Sequence, residues 1–417
     1  MSARARSALS TLFVLGALSG SLIAVAAPGR LGGSTSAQPP ALSAVTPKSG
    51  GAAKPAESAP LPPAHDLEPL SYSRSEGGRL FAELPDGDSA ELTLDPDLQA
   101  HLEGVFRRYE VPYGAAVAIE PSTGRVLAYV SHSSANPDAG DLARDPTPPS
   151  ASVFKVITAA ALVDRGVAAN TKVCYGGGLR RLTAADLADN PKRDRSCATL
   201  SEAMGGSINA VFAKLADRHL DGATLERYAE AFGFGHALPF DAPTRASRSE
   251  VPQDRLEFAR TAAGFWHMHM SPLHGALIAS TVANGGVMQR PGIIERVMGE
   301  DGRELRRFEP KAFRSVIPRS TARVVGTMMQ RTVTHGTSRK AFYDPAGRPF
   351  LPGIKVAGKT GSLASERPYR AYNWWVGYAP MDKPKIAVSA LVVNTPKWRI
   401  KGSYVGREAL RRYLLKR

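Results

Sequence analysis

The stretch Ser150-Ala151-Ser152-Val153-Phe154-Lys155-Val156-Ile157-Thr158-Ala159-Ala160-Ala161-Leu162-Val163 decides how this chain is read. Pro148 and Pro149 end any preceding regular structure, Ser150 is an expected N-cap, and the apolar run after Lys155 is long enough for a buried helix. Ser152 then falls in the first turn and Lys155 follows at i+3. The amine and the hydroxyl project from one helix face, where the positive end of the dipole favours developing negative charge. A serine hydroxyl is a poor nucleophile at neutral pH. A lysine can deprotonate it only where burial and nearby positive charge lower the amine's pKa. An isolated Ser-x-x-Lys is usually an ordinary helix start with a solvated lysine, but a lysine followed at once by buried residues needs a reason.

Two further clusters lie downstream. Ser207-Ile208-Asn209 follows Thr199-Leu200-Ser201-Glu202, which reads as a capped helix start, and Gly205-Gly206 interrupts that helix. Helical periodicity resumes at Ala210, so Ser207 and Asn209 are expected on a turn between two helices, aimed into a cleft. Lys359-Thr360-Gly361-Ser362 precedes two apolar strands, Trp374 to Ala379 and Ile386 to Val393, and is expected on a sheet edge. An edge strand beside a nucleophile can align an extended peptide by main-chain hydrogen bonds, while Lys359 and the hydroxyls hold a carboxylate. Lys359 is also the positive charge expected to depress Lys155.

In this order the three clusters resemble the transpeptidase domain of the penicillin-binding proteins, which cross-link bacterial peptidoglycan. The likeness continues outside them. Leu92-Thr93-Leu94-Asp95-Pro96-Asp97-Leu98-Gln99 resembles the opening segment of that domain, and residues 115–120 with 126–130 resemble its first hairpin. Residues 271–286, ending Asn284-Gly285-Gly286, resemble its long helix, and Val333-Thr334-His335-Gly336-Thr337 resembles the Gly-Thr segment before the third motif. The resemblance implies an α/β (α+β) fold of the β-lactamase/transpeptidase type, with an antiparallel central sheet flanked by helices and an all-helical subdomain carrying the second motif.

Roles are implied position by position. Ser152 would be acylated by the penultimate D-alanine of a stem peptide, Lys155 would be its base, and Ser207 would relay the proton to the departing D-alanine. Asn209 would bind a donor amide, Lys359 would supply field and hydrogen bonding, and Thr360 and Ser362, beside Gly361, would hold the terminal carboxylate. The backbone N–H groups of Ser152 and Ser362 would form the oxyanion hole. Many large members carry threonine where this chain has Ser362. No cofactor is implied; the implied partners are peptidoglycan stem peptides, β-lactam antibiotics and a glycosyltransferase.

The first 27 residues, with Arg4 and Arg6 before an apolar stretch ending Ala24-Val25-Ala26, read as a signal peptide or a membrane anchor. Either places the rest outside the cytoplasm. Residues 28–66 are a Pro/Ala/Ser-rich tether, 67–90 a short lead-in, and 91–417 the transpeptidase domain. Gly32-Gly33-Ser34-Thr35 resembles a glycosyltransferase signature but lacks the flanking pattern and is rejected. Cys174 and Cys197 are the only cysteines; in an exported chain a bridge closing residues 175–196 is expected, worth about 3 kcal/mol, with two free thiols as the alternative. His267, His269 and His274 have no acidic or cysteine companions in sequence and are read as surface or core groups rather than a metal site.

A net charge of +15 suits attraction to anionic lipid and wall polymers. Nucleic acid is excluded by export and by the lack of a matching motif. Arg411, Arg412, Lys416 and Arg417 around Leu410, Tyr413 and Leu414 read as a terminal helix with a solvated basic face. Transfer to an amine is preferred over hydrolysis because the opening segment and the Asn-Gly-Gly helix resemble the large transpeptidases. The alternatives are a D,D-carboxypeptidase, a non-catalytic penicillin-binding sensor or envelope scaffold, and a β-lactamase, which would need a deacylating base that no segment after Ser207 supplies.

Overall fold

The computed structural model describes residues 71–415 apart from 75–76, 85–86 and 137. The expected N-terminal signal or anchor, the tether, Gly32 to Thr35, and the basic residues Lys416 and Arg417 lie outside the described residues.

The centre is a five-stranded antiparallel sheet in the order Ala357–Glu366, Tyr369–Ala379, Ile386–Asn394, Tyr113–Ile119, Val126–His132. Period-2 alternation sends neighbouring residues to opposite faces. Trp374 and Val376 pack with the helices Lys155–Asp164 and Pro272–Ala283, whereas Trp375 packs with Pro96–Arg108 and Gly402–Leu414. With both faces covered, every residue of Ile386–Asn394 is buried, which is why that segment reads as one continuous apolar run. Close packing of the first face depends on Gly275, where a Cβ would come 2.5 Å from Ser389 Oγ.

The lobe that carries the second motif is built from the helices Leu200–Gly206, Asn209–His219, Gly222–Ala231 and Arg255–Ala262. It also holds a two-stranded ribbon, Lys172–Tyr175 with Ser196–Thr199, which the helical reading did not include, and Cys174 and Cys197 are bonded across it. A second five-stranded sheet joins Leu80–Glu83 and Ser89–Leu92 to Ile294–Met298. The terminal helix Gly402–Leu414 buries Val405, Ala409 and Leu410 and leaves Arg411 exposed.

The expected cap at Ser150 is corrected. Ala151 takes a left-handed φ of 49° and residues Ala151–Val153 form one 3-10 turn ahead of the helix Lys155–Asp164. The chain enters crosswise, Ser150 N–H donates to Met268 O, and the Ser150 side chain caps nothing. Ser152 thus stands in the turn in front of the helix, and Lys155 begins it.

Candidate active site

Each motif is delivered to one cleft by a different local device. The turn that carries Ser152 is pressed against the third-motif strand, where Gly361 allows the approach: a Cβ there would lie 3.2 Å from Ala151 Cβ, Ser150 O and Trp374 Cβ. Trp374 Nε1 donates to Pro149 O at 2.8 Å and pins the same turn to the sheet. Ser207 terminates the helix Leu200–Gly206 in the left-handed region, φ 54° and ψ 44°, and the next helix starts at Asn209. That one residue reverses the chain and presents both Ser207 and Asn209. The helix start is fixed by a reciprocal Thr199–Glu202 capping box.

The third-motif strand pairs Lys359 with Val376 and Ser362 with Asn373, on the sheet edge where the sequence put it. Ser152, Ser207, Asn209, Thr360 and Ser362 all line one cleft of about 390 Å³.

Lys155 has no exposed surface. Its Nζ donates to Ser152 Oγ at 2.8 Å, Asn209 Oδ1 at 2.7 Å and Ala263 O at 2.5 Å. Two of these three partners, the amide oxygen and the peptide carbonyl, can only accept. When the amine is neutral its two remaining N–H bonds go there, and its lone pair faces the Ser152 hydroxyl. Burial first, and the charge of Lys359 second, hold Lys155 well below the ordinary lysine range. Lys359 is equally buried and donates to Ser207 Oγ at 2.9 Å and Thr360 O at 2.8 Å; burial brings it down to about 7. Two ammonium charges in this space repel, so the arrangement favours one neutral and one charged lysine.

Asn209 is committed at both ends, since Nδ2 also donates to Leu179 O at 2.7 Å. One Nδ2 hydrogen remains for a ligand. Thr360 Oγ1 meets Thr337 Oγ1 at 2.5 Å. Thr337 is held by its own N–H on Gly205 O at 3.1 Å, and a Cβ on Gly336 would come 2.0 Å from that oxygen.

Sequence reading missed several participants. Thr337, Asn373, Trp374, Lys401 and Ser403 line the cleft, and of these only the Gly336-Thr337 pair carried a signal. The Ala263 and Leu179 carbonyls carried none, because a main-chain oxygen has no residue type. The three histidines disperse. His267 Nε2 meets Glu257 Oε2 at 2.9 Å, His269 Nδ1 meets Thr147 O at 2.7 Å, and His274 is fully buried between Ser247 Oγ and Phe232 O. Burial lowers His274 to about 4, as suits a neutral core group.

An antiparallel sheet with a helical lobe, closing on a Ser-x-x-Lys turn, a Ser-x-Asn corner and a Lys-Thr-Gly edge strand, defines the penicillin-recognising class of serine proteins. Residues 114–414 match the penicillin binding protein transpeptidase domain, and the chain belongs to that family. It is similar to the peptidoglycan D,D-transpeptidase PbpA of Mycobacterium tuberculosis, with 28% identity over 349 residues, 74% of this chain and 68% of that protein. The PbpA of Mycolicibacterium smegmatis is 27% identical over 345 residues, with the same coverage. The crystal structure of PBPA from M. tuberculosis superimposes with a TM-score of 0.66 at 26% identity, covering 79% of this chain and 83% of that one. Its imipenem acyl-enzyme complex gives 0.64 at 26% identity, covering 79% and 80%.

Proposed function

We propose that this chain is a peptidoglycan D,D-transpeptidase that forms an acyl-enzyme on Ser152 and is inactivated by β-lactams at the same oxygen. The observation that carries the reading is the pair of obligate acceptors, Asn209 Oδ1 and Ala263 O, around Lys155 Nζ, which leaves a neutral amine to aim its lone pair at the Ser152 hydroxyl. Similarity to named transpeptidases and to an acyl-enzyme complex supports it.

Lys155 takes the Ser152 proton as Oγ attacks the carbonyl of the penultimate D-alanine. The C–O bond forms, and the resulting oxyanion is met by the backbone N–H groups of Ser152 and Ser362. Collapse breaks the C–N bond, and the proton taken by Lys155 is returned to the departing D-alanine amine through the Ser207 hydroxyl, which Lys359 orients. An acceptor amine then attacks the ester, its proton retraces the path, and Ser152 is regenerated. Thr360 and Ser362 hold the terminal carboxylate in the field of the buried Lys359, and the free Nδ2 hydrogen of Asn209 takes a donor carbonyl. In a β-lactam the broken C–N bond lies in a ring, so the leaving amine stays attached and blocks the acceptor.

This chemistry places the domain on the extracytoplasmic side, where stem peptides are exposed and a Cys174–Cys197 bond persists. No helix among the described residues is long and apolar enough to cross a membrane. Attachment through the N-terminal stretch and a glycosyltransferase partner complete the proposal.

The test is mass spectrometry of products from a synthetic pentapeptide donor, with and without an amine acceptor. Amide product with the acceptor supports transfer. Free tetrapeptide alone would make the protein a carboxypeptidase, and no product with intact penicillin labelling would make it a sensor.

A further inference from the structure

The loop closed by Cys174 and Cys197 runs along the helix whose first residue is Asn209. Near its start, Leu179 O accepts from Asn209 Nδ2, and Gly178, at φ +70°, lies so close that a Cβ would come 3.0 Å from Ala210 Cβ. Further along that helix stands Lys214, a third lysine with no exposed surface. Its Nζ donates to three groups of this loop: Cys174 O at 2.9 Å, Asp189 Oδ1 at 3.2 Å, and the buried carboxylate of Asp194. From the neighbouring helix, Arg260 reaches Leu182 O with two nitrogens, at 3.2 and 2.6 Å. Burying an ammonium is expensive unless every donor is used, and here its donors are spent on holding one loop down.

The two ends of the Asn209 amide are chemically opposite. With Nδ2 committed to Leu179 O, Oδ1 must face Lys155; turned over, the amide would set an N–H against the amine and lose both bonds. The Lys155 amine and the Leu179 carbonyl select the same orientation, and the carbonyl is the part of that choice the loop supplies.

We propose that the Cys174–Cys197 loop is a positioning strap for catalysis: its Leu179 carbonyl fixes the Asn209 amide, which holds Lys155 in line with Ser152, and Lys214 clamps the strap to the helix. This rests on the reading of Lys155 as the base for Ser152. Lys214 and the disulfide touch no substrate; they act through Asn209. Cutting the disulfide leaves Ser152, Lys155 and Lys359 in place but frees the amide to turn.

The test is the acylation efficiency of a fluorescent penicillin across pH, on the whole protein before and after a dithiol. The dithiol leaves as its cyclic disulfide, and Cys174 and Cys197 each gain a hydrogen. Efficiency is expected to fall about tenfold or more on reduction. The Cys174→Ser/Cys197→Ser double variant should start at the reduced level and not respond to the dithiol, and Lys214→Met should match it. Arg181→Ala, an exposed loop residue, should behave as wild type.

The pH profile separates positioning from general loosening. The groups facing Lys155 are Ser152, Asn209, the Ala263 carbonyl, the Phe212 ring and Lys359, of which Lys359 is the charged one. Losing the Asn209 oxygen removes support for the ammonium, so the acid limb should move to lower pH as the maximum falls. Unchanged efficiency and an unmoved limb, after reduction and in the double serine variant, would overturn the strap. If Lys214→Met does not fold, the reduced wild type still decides. Oxidised wild type that takes no label would refute the parent reading, and the strap with it.

Discussion

Lys359→Met should make the protein more stable at neutral and acidic pH while it damages acylation. Lys359 is fully buried, and burial brings its amine from 10.5 down to about 7. The unfolded chain keeps this lysine protonated over that range, so it binds more protons than the folded state and stability rises with pH between about 7 and 10.5. The penalty is complete below the folded value and gone above the unfolded one. At about 1.4 kcal/mol per pH unit, moving from 10.5 to about 7 is worth about 5 kcal/mol. Methionine escapes that penalty but leaves Ser207 Oγ and Thr360 O without their donor, at about 1–3 kcal/mol for each buried group. Ser207 lines the open cleft and can turn to water, so the net gain below neutrality is about 2 kcal/mol.

The pH dependence is the cleaner signal, because the lost hydrogen bonds cost the same at any pH. Between pH of about 6 and about 9.5 the wild-type penalty shrinks by about 3 kcal/mol, so the gap between variant and wild type should turn from an advantage of about 2 kcal/mol into a deficit of about 1 kcal/mol. Relief of Lys155, which Lys359 also pushes down, adds in the same direction. Urea unfolding at the two pH values, with matching m-values, measures the gap. A gap that stays constant with pH would refute the argument that Lys359 is held near neutrality by burial.

Lys155→Arg should lower acylation by about 10²–10⁴, since guanidinium keeps the charge but accepts no proton, whereas Lys359→Arg should be milder; equal or reversed effects in stopped-flow labelling would break the division of roles. The acylation rate of wild type should rise with pH as Lys155 loses its proton and fall through about 7 as Lys359 loses its own, the apparent values belonging to the pair. A rate that climbs steadily into alkaline pH would contradict this. Gly361→Val adds a branched side chain where even a Cβ stands 3.2 Å from three neighbours. It should slow labelling about tenfold or more with the far-ultraviolet circular dichroism unchanged; an unaffected rate would mean that the strand yields without moving the site.

Much of this architecture was legible from local chemistry. Lys155 before an apolar run announced a buried amine, Gly205-Gly206 before Ser207 announced the corner between two helices, and the Trp374 to Ala379 run announced a strand beside Lys359. What local sequence could not supply was whatever depends on distant backbone. Ala263 O reaches Lys155 across 108 residues and Leu179 O reaches Asn209 across 30, and neither is marked by a side chain. Ser150 has the residue type of a cap yet caps nothing, because the left-handed φ of Ala151 turns the chain before the helix and alanine gives no warning of it. Lys214 lies within a helical run like any solvated lysine, and its partners come from the disulfide-closed loop, which the helical run does not announce.

Ser152 Oγ as the acyl acceptor is the step on which the proposed function depends. It is tested most directly by incubating the protein with a penicillin, digesting it, and locating the added mass by tandem mass spectrometry. One long-lived adduct is expected, on Ser152, and none in Ser152→Ala with its fold intact. An adduct on another residue, or labelling that survives Ser152→Ala, would contradict it.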